Sequence, residues 1–126
     1  MKEGKFLTLN DISSYKYSFV LSNYVWMIVS KWDYFAKNSV GGQFVRSVDS
    51  ISANIAEGFG RYGKKDKIKF YRYSQASIKE SLDWNEKAKA RGLISTKDYD
   101  HIYDKLIELT KDINCLIGFT NKKLKF

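Results

Sequence analysis

The segment from Gln43 to Arg61 constrains this chain more than any other. Phe44, Val48, Ile51, Ile55 and Phe59 recur at spacings of three and four, the period of a helix with one buried stripe. Ser47, Ser50, Ala53, Ala56 and Gly58 sit beside that stripe, and residues this small let a neighbouring backbone come close. The segment ends on glycines and runs at once into lysines and arginines. The chain must therefore fold so that a tightly packed helix hands over directly to a positively charged loop.

Other segments supply the helices it packs against. There is no proline among the 126 residues, so nothing of that kind interrupts a long helix. A first helix is expected from an Asn10 or Asp11 cap to about Lys37, with Leu21, Val25, Ile28, Trp32 and Phe35 as its seam. Phe19, Tyr24, Trp26 and Val29 widen its apolar surface, so one face is expected to meet the bundle and another a second subunit. The second helix is expected from about Val40, capped by Ser39, to Phe59. The third is expected over 65–91, with Ile68, Tyr71, Ile78 and Leu82 on one stripe and Gly92 just past its end. The fourth is expected over 96–121, capped by Ser95 with Asp98 completing a capping box. Tyr99, Ile102, Leu106, Leu109, Ile113 and Leu116 give it the clearest seam. Short connections favour antiparallel neighbours, hence an all-α, up-down-up-down four-helix bundle. Residues 1–9 are read as an N-terminal extension, 10–121 as the bundle and 122–126 as a mobile basic tail.

A chain of this length needs no staple to hold a core. Its single cysteine, Cys115, permits no intrachain disulfide and is expected to be a small core hydrophobe. No signal-like N-terminus and no membrane-length apolar run is visible, so a soluble, cytoplasmic protein is expected.

Charge is distributed unevenly. The chain carries 22 Lys and Arg against 14 Asp and Glu, and residues 64–92 alone hold nine cations against four carboxylates. Arg61, Lys64, Lys65, Lys67, Lys69 and Arg72 form the cluster, with Tyr62, Phe70, Tyr71 and Tyr73 interleaved. Cations of this kind hold phosphates, and exposed aromatic faces stack unpaired bases. Phe70 and Tyr71 are assigned to the core, leaving Tyr62 and Tyr73 as stacking candidates. The alternative is a merely solvated basic face.

Other motifs carry less. Gly58 to Gly63 matches G-x-G-x-x-G, but it follows a helix instead of a strand, and Lys65 stands where a P-loop needs Ser or Thr. The glycines are read instead as ending one helix and turning towards the next. Arg46, Asn54, Glu57 and Glu80 are read as buried polar groups that fix register, with Glu57 able to pair with Arg61 and Arg46 able to reach Glu80. His101 is the only histidine and is expected to be solvated. No spacing supports zinc or a di-iron site, and no catalytic arrangement is visible, so no metal, cofactor or enzymatic activity is expected.

These residues resemble the family of proteins encoded in intervening sequences of bacterial 23S ribosomal RNA genes, also called the S23 family. The resemblance rests on Arg46-Ser47, Asp49-Ser50-Ile51, Ala53-Asn54-Ile55-Ala56-Glu57-Gly58 and Gly60-Arg61. It continues through Phe70-Tyr71, Ala76-Ser77-Ile78, Glu80, Lys87-Ala88-Lys89 and Arg91-Gly92-Leu93-Ile94. This chain departs from the family at Ser52, where proline is frequent, and at Ala76, where glycine is frequent. The resemblance implies a left-handed bundle, a ring of five subunits and no known enzymatic activity. It also implies kinship with retroelement accessory proteins, which are similar to basic barrels that engage reverse transcriptase and nucleic acid. Two expectations follow: an oligomer that binds nucleic acid, RNA in preference to DNA, or an adaptor whose basic face meets an acidic protein such as a polymerase.

Overall fold

Three-four apolar spacing sets the buried seam of each long helix, and the way these seams meet positions the basic loop. A computed structural model describes residues 7–125. Among them there is no strand, and four long helices carry the fold: α1 (Ser13–Val29), α2 (Gly42–Gly60), α3 (Lys64–Ala90) and α4 (Thr96–Lys123). Consecutive helices pack on one another, and α4 closes back onto α1. Residues 1–6 of the expected extension and Phe126 of the tail lie outside the described residues.

The core is drawn from all four helices. Leu21, Val25 and Val29 enter from α1, Phe44, Val48, Ile51 and Ile55 from α2, and Tyr71, Ile78 and Ala88 from α3. Ile102, Leu106, Leu109, Ile113 and Ile117 enter from α4. Each large side chain taken out of water contributes roughly 1.5–3 kcal/mol before entropy is charged against it. The α4 seam turns inward at Ile117, a four-residue step, and leaves Leu116 half-buried.

The α2–α3 contact is the tightest. Ser81 Oγ donates to Ser47 Oγ at 3.1 Å, and Ser74 Oγ donates to the Ile51 carbonyl at 2.7 Å. All three serines are fully buried. Further along, Gly58 faces Tyr71: a Cβ there would stand 2.7 Å from the Tyr71 ring and 2.9 Å from the Lys67 carbonyl oxygen. Positions rise along α2 as they fall along α3. Gly58 is thus required by close approach. It lies inside α2 at an ordinary helical φ, and only Gly92 among the described residues has positive φ, 71°. α2 ends at Gly60 and Gly63 precedes α3, as the sequence led one to expect, but neither glycine uses left-handed geometry. Gly92 does: its amide donates to the Lys89 carbonyl and that of Leu93 to Ala88, the paired bonds that close a helix C-terminus.

The passage from α1 to α2 corrects the expected boundaries. α1 stops at Val29, not Lys37, because the Lys31 and Trp32 amides reach back only three residues, the tightening that ends a helix. Asp33 then starts a new turn by accepting the Ala36 amide at 2.9 Å. The chain passes through Tyr34–Ala36 and a π-helical segment, Lys37–Gly41, directly into α2. Ser39 is inside this stretch and donates to Phe35 O instead of capping α2. Phe35 is consequently 82% exposed and Trp32 half-buried, so neither extends the α1 seam. A Cβ on Gly41 would meet Val29 Cγ1 at 2.7 Å, so glycine lets this passage fold back against the end of α1.

Three smaller corrections follow. Asp11 does not cap α1; its carboxylate accepts from the Thr8 amide and hydroxyl around the turn Leu9–Asp11. Ser95 does cap α4, but the Asp98 carboxylate turns to the Tyr24 hydroxyl at 2.6 Å instead of closing a capping box. Cys115 is exposed, because Ile113 and Ile117 on either side of it face the core.

Candidate nucleic-acid interface

The basic cluster lies where α2 hands over to α3 through Arg61, Tyr62 and Gly63. Geometry divides its six cations into two groups. Lys65, Lys69 and Arg72 follow one another by four and three residues and share one exposed face of α3. Lys64 and Lys67 are directed elsewhere. Lys64 Nζ donates to the Asn121 carbonyl near the end of α4, and Lys67 Nζ donates to the Phe59 carbonyl at 2.7 Å near the end of α2. Both cations therefore sit where helix C-termini present unsatisfied carbonyls and partial negative charge. Partial burial pushes the Lys67 ammonium below its ordinary pKa.

Arg61 joins the exposed group from α2. Its guanidinium pairs with Glu57 at 2.9 Å and lies 4.5 Å above the Phe70 ring centroid. Lys69 approaches the same ring at 5.4 Å and pairs loosely with Asp66 at 3.8 Å. Phe70 is thus a half-buried platform for cations, not the core residue its apolar character promised. The sequence signal available for it was a cation beside it and another one loop away. Tyr71, by contrast, is buried as expected, and burial pushes its hydroxyl up to about 12. Tyr73 is 48% exposed and meets Phe70 edge to face at 5.3 Å, while Tyr62 is 88% exposed at the loop tip.

Two carboxylates, Glu57 and Asp66, pair within this group, so the six cations keep an excess of positive charge. Lys65 has no carboxylate partner among the described residues, and Arg72 reaches only the amide oxygen of Gln75 at 3.5 Å. Lys122 and Lys123 in the last turn of α4 add to the same end of the molecule, beside the carbonyl that holds Lys64. Sequence reasoning assigned them to a tail because it ended the helix two residues early.

The register residues lie on the surface. Arg46 reaches Glu80 at 2.6 Å between α2 and α3 and also meets Gln43, but both partners of the ion pair are substantially exposed. The Trp84 indole donates to the same carboxylate at 3.2 Å. Asn54 donates to the Ser50 carbonyl within α2. Polar groups buried between helices are instead the serines of the α2–α3 contact and Asn85, which donates to the Tyr99 carbonyl. His101 is exposed and tilts against Tyr24 with ring centroids 4.4 Å apart.

Among the described residues, no cluster of His, Cys, Asp and Glu could hold a metal ion, and no helix is long and apolar enough to cross a membrane. The fold is shared with the crystal structure of a protein of unknown function from the S23 ribosomal protein family of Bacteroides thetaiotaomicron. The match has a TM-score of 0.73 at 21% identity, covering 82% of this chain and 97% of that one. No curated relative matches the chain. Residues 10–115, including the whole cationic junction, match the family model described as 23S rRNA-intervening sequence protein. The chain belongs to the family of 23S rRNA-intervening sequence proteins.

Proposed function

We propose that this protein is a non-enzymatic, cytoplasmic, left-handed up-down-up-down bundle that binds nucleic acid, RNA in preference to DNA, through the junction of α2 and α3. One observation carries the reading: Lys65, Lys69 and Arg72 share an exposed face beside an arginine held on an aromatic platform. Such a surface offers cations for phosphates and, at Tyr73 and Tyr62, rings for unpaired bases. The family's association with a ribosomal RNA gene favours RNA. Lys64 and Lys67, which already serve helix ends, contribute less than the outward three.

Four phosphate contacts per subunit, from Arg61, Lys65, Lys69 and Arg72, give a slope of log K against log salt of about −3 on a single strand. Anisotropy titrations of labelled single-stranded RNA at several salt concentrations measure it. The triple charge reversal Lys65→Glu, Lys69→Glu and Arg72→Glu is expected to cut the slope to that of a single contact, about −0.7, or less. An unchanged slope in a folded triple variant overturns the reading.

Exposed Phe19, Val20, Trp26 and Met27 on α1 support self-association, with the ring of five as the expected assembly. A ring would repeat a weak patch and raise avidity without a new contact. Light scattering that finds only monomer removes this part of the proposal. The outward cations also support a second reading, an adaptor whose basic face meets an acidic patch on a nucleic-acid enzyme such as a reverse transcriptase. An adaptor keeps its protein partner in a pull-down after nuclease treatment.

A further inference from the structure

Away from the exposed basic face, a cleft of about 530 Å³ opens between the start of α1, the first turns of α3 and the last turns of α4. Its volume falls within the range of small-molecule sites. Most of its wall is apolar, including Leu116, Phe119 and Leu124. Its polar lining is unusual in what it lacks. Ser14 is 1% exposed and its hydroxyl has no hydrogen-bond partner. Tyr71 is 2% exposed as a residue, and no described residue accepts a hydrogen bond from its hydroxyl, which unlike that of Ser14 keeps some access to solvent. A buried hydroxyl without a partner costs stability, so Ser14 invites an oxygen atom from outside the chain, and Tyr71 offers a second, solvent-reachable donor.

Lys67 stands one helical turn before Tyr71 and lines the same cleft. Only one of its three N–H donors is assigned, to the Phe59 carbonyl. The cleft therefore combines hydroxyls, a partly desolvated ammonium and a greasy wall. Two carboxylates, Asp11 and Asp112, line it along with two cations, Lys67 and Lys123, so a dianionic or strongly hydrated head group would be repelled.

We infer that this cleft binds a medium-chain carboxylate: the head group would accept hydrogen bonds from Ser14, Tyr71 and Lys67, and the chain would lie against Leu116, Phe119 and Leu124. A monoanion supplies the acceptor atoms that the donors lack and balances the Lys67 charge. A linear tail suits a wall that offers it no hydrogen bonds. The inference does not depend on nucleic-acid binding.

Calorimetric titration of the full chain with hexanoate, octanoate and decanoate, each below its micellar concentration, tests it. Saturable binding at one site per subunit is expected, tightening about fourfold with each methylene until the cleft is full. Decanol is expected to bind about tenfold more weakly than decanoate, and Lys67→Met to erase that difference. Because Lys67 also caps α2, a second variant guards against misfolding. Cys115→Trp adds bulk from an exposed position on the cleft lining and is expected to block decanoate with unchanged helical circular dichroism. Non-saturable uptake, or decanoate binding that is indifferent to Cys115→Trp, overturns the assignment.

Discussion

The contact between Gly58 and Tyr71 makes the most exacting demand on this sequence, and replacing Gly58 by alanine tests it. Alanine is the better helix former by about 1 kcal/mol, and Gly58 lies inside α2 at a helical φ, so local propensity alone predicts stabilisation. Packing predicts the reverse. The new methyl would stand 2.7 and 2.9 Å from two Tyr71 ring carbons and 2.9 Å from the Lys67 carbonyl oxygen. Carbon pairs prefer roughly 3.5–4.0 Å, so α3 must retreat by most of an ångström. Neither obstacle is a flexible side-chain tip: one is a buried ring and the other is backbone. The retreat also strains the Ser74 to Ile51 hydrogen bond, already at 2.7 Å. Overpacking of this kind costs about 1–3 kcal/mol, and these rigid partners place it at the upper end. After the helix gain is subtracted, Gly58→Ala is expected to lose about 2 kcal/mol. Gly118→Ala is the control, because a Cβ there meets nothing within 4 Å. It should gain about 0.5–1 kcal/mol. Urea unfolding followed by circular dichroism, at one fixed protomer concentration, measures both variants. Adding Tyr71→Leu to Gly58→Ala should cost less than the sum of the single changes. If Gly58→Ala matches or exceeds the wild type while Gly118→Ala gains as expected, close approach is not why glycine occupies position 58.

Other consequences are open to measurement. Cys115 should react with a disulfide reagent in the native protein at a rate close to that of an unfolded control, since it is exposed. A double-mutant cycle on Arg46 and Glu80 should return a coupling of about 1 kcal/mol or less, because both side chains are open to water. Alkaline titration followed by tyrosinate absorbance should show Tyr24, Tyr71 and Tyr99 ionising near pH 12, not near 10. Hydrogen bonds to Asp98 and Glu86 hold Tyr24 and Tyr99 protonated, and burial holds Tyr71. Because the folded pKa values are raised, these groups contribute fully below pH 10 and the contribution is lost between about pH 10 and 12. Tyr24→Phe should remove one late-ionising group.

Legibility in the sequence followed the physics of each element. Seams such as Ile102, Leu106, Leu109 and Ile113 are local periodic signals, and they are buried in the structure. The Gly92 and Ser95 signals also lie within one turn of what they control, and both act at the α3–α4 connection. The end of α1 was not legible, because apolar spacing continues through Trp32 and Phe35 while a single carboxylate, Asp33, restarts the helix. Periodicity records which faces are apolar, not where the backbone changes direction. Phe70 and Cys115 failed for a related reason: residue type favours burial, but the rotation of each helix about its seam decides it. The cationic cluster was legible as a group, yet its division between outward cations and those bound to helix ends depends on contacts with α2 and α4.

That division ties the packing of the bundle to the surface it presents. Gly58 brings α3 against α2, and the same approach places the Lys67 ammonium on the Phe59 carbonyl. One residue beyond the end of α2, Arg61 lies over a ring carried by α3. Both contacts require the helices to be as close as the glycine allows. A cation held over an aromatic ring loses less freedom on meeting a phosphate than one on a free tether. If the junction binds RNA as proposed, tight packing acts on affinity as well as stability. A Gly58→Ala protein that still folds should bind RNA more weakly with all its charges intact. Its salt slope should stay at the wild-type value, because the number of phosphate contacts is unchanged. A fall in slope instead would mean that the displaced helix carries a cation away from the strand.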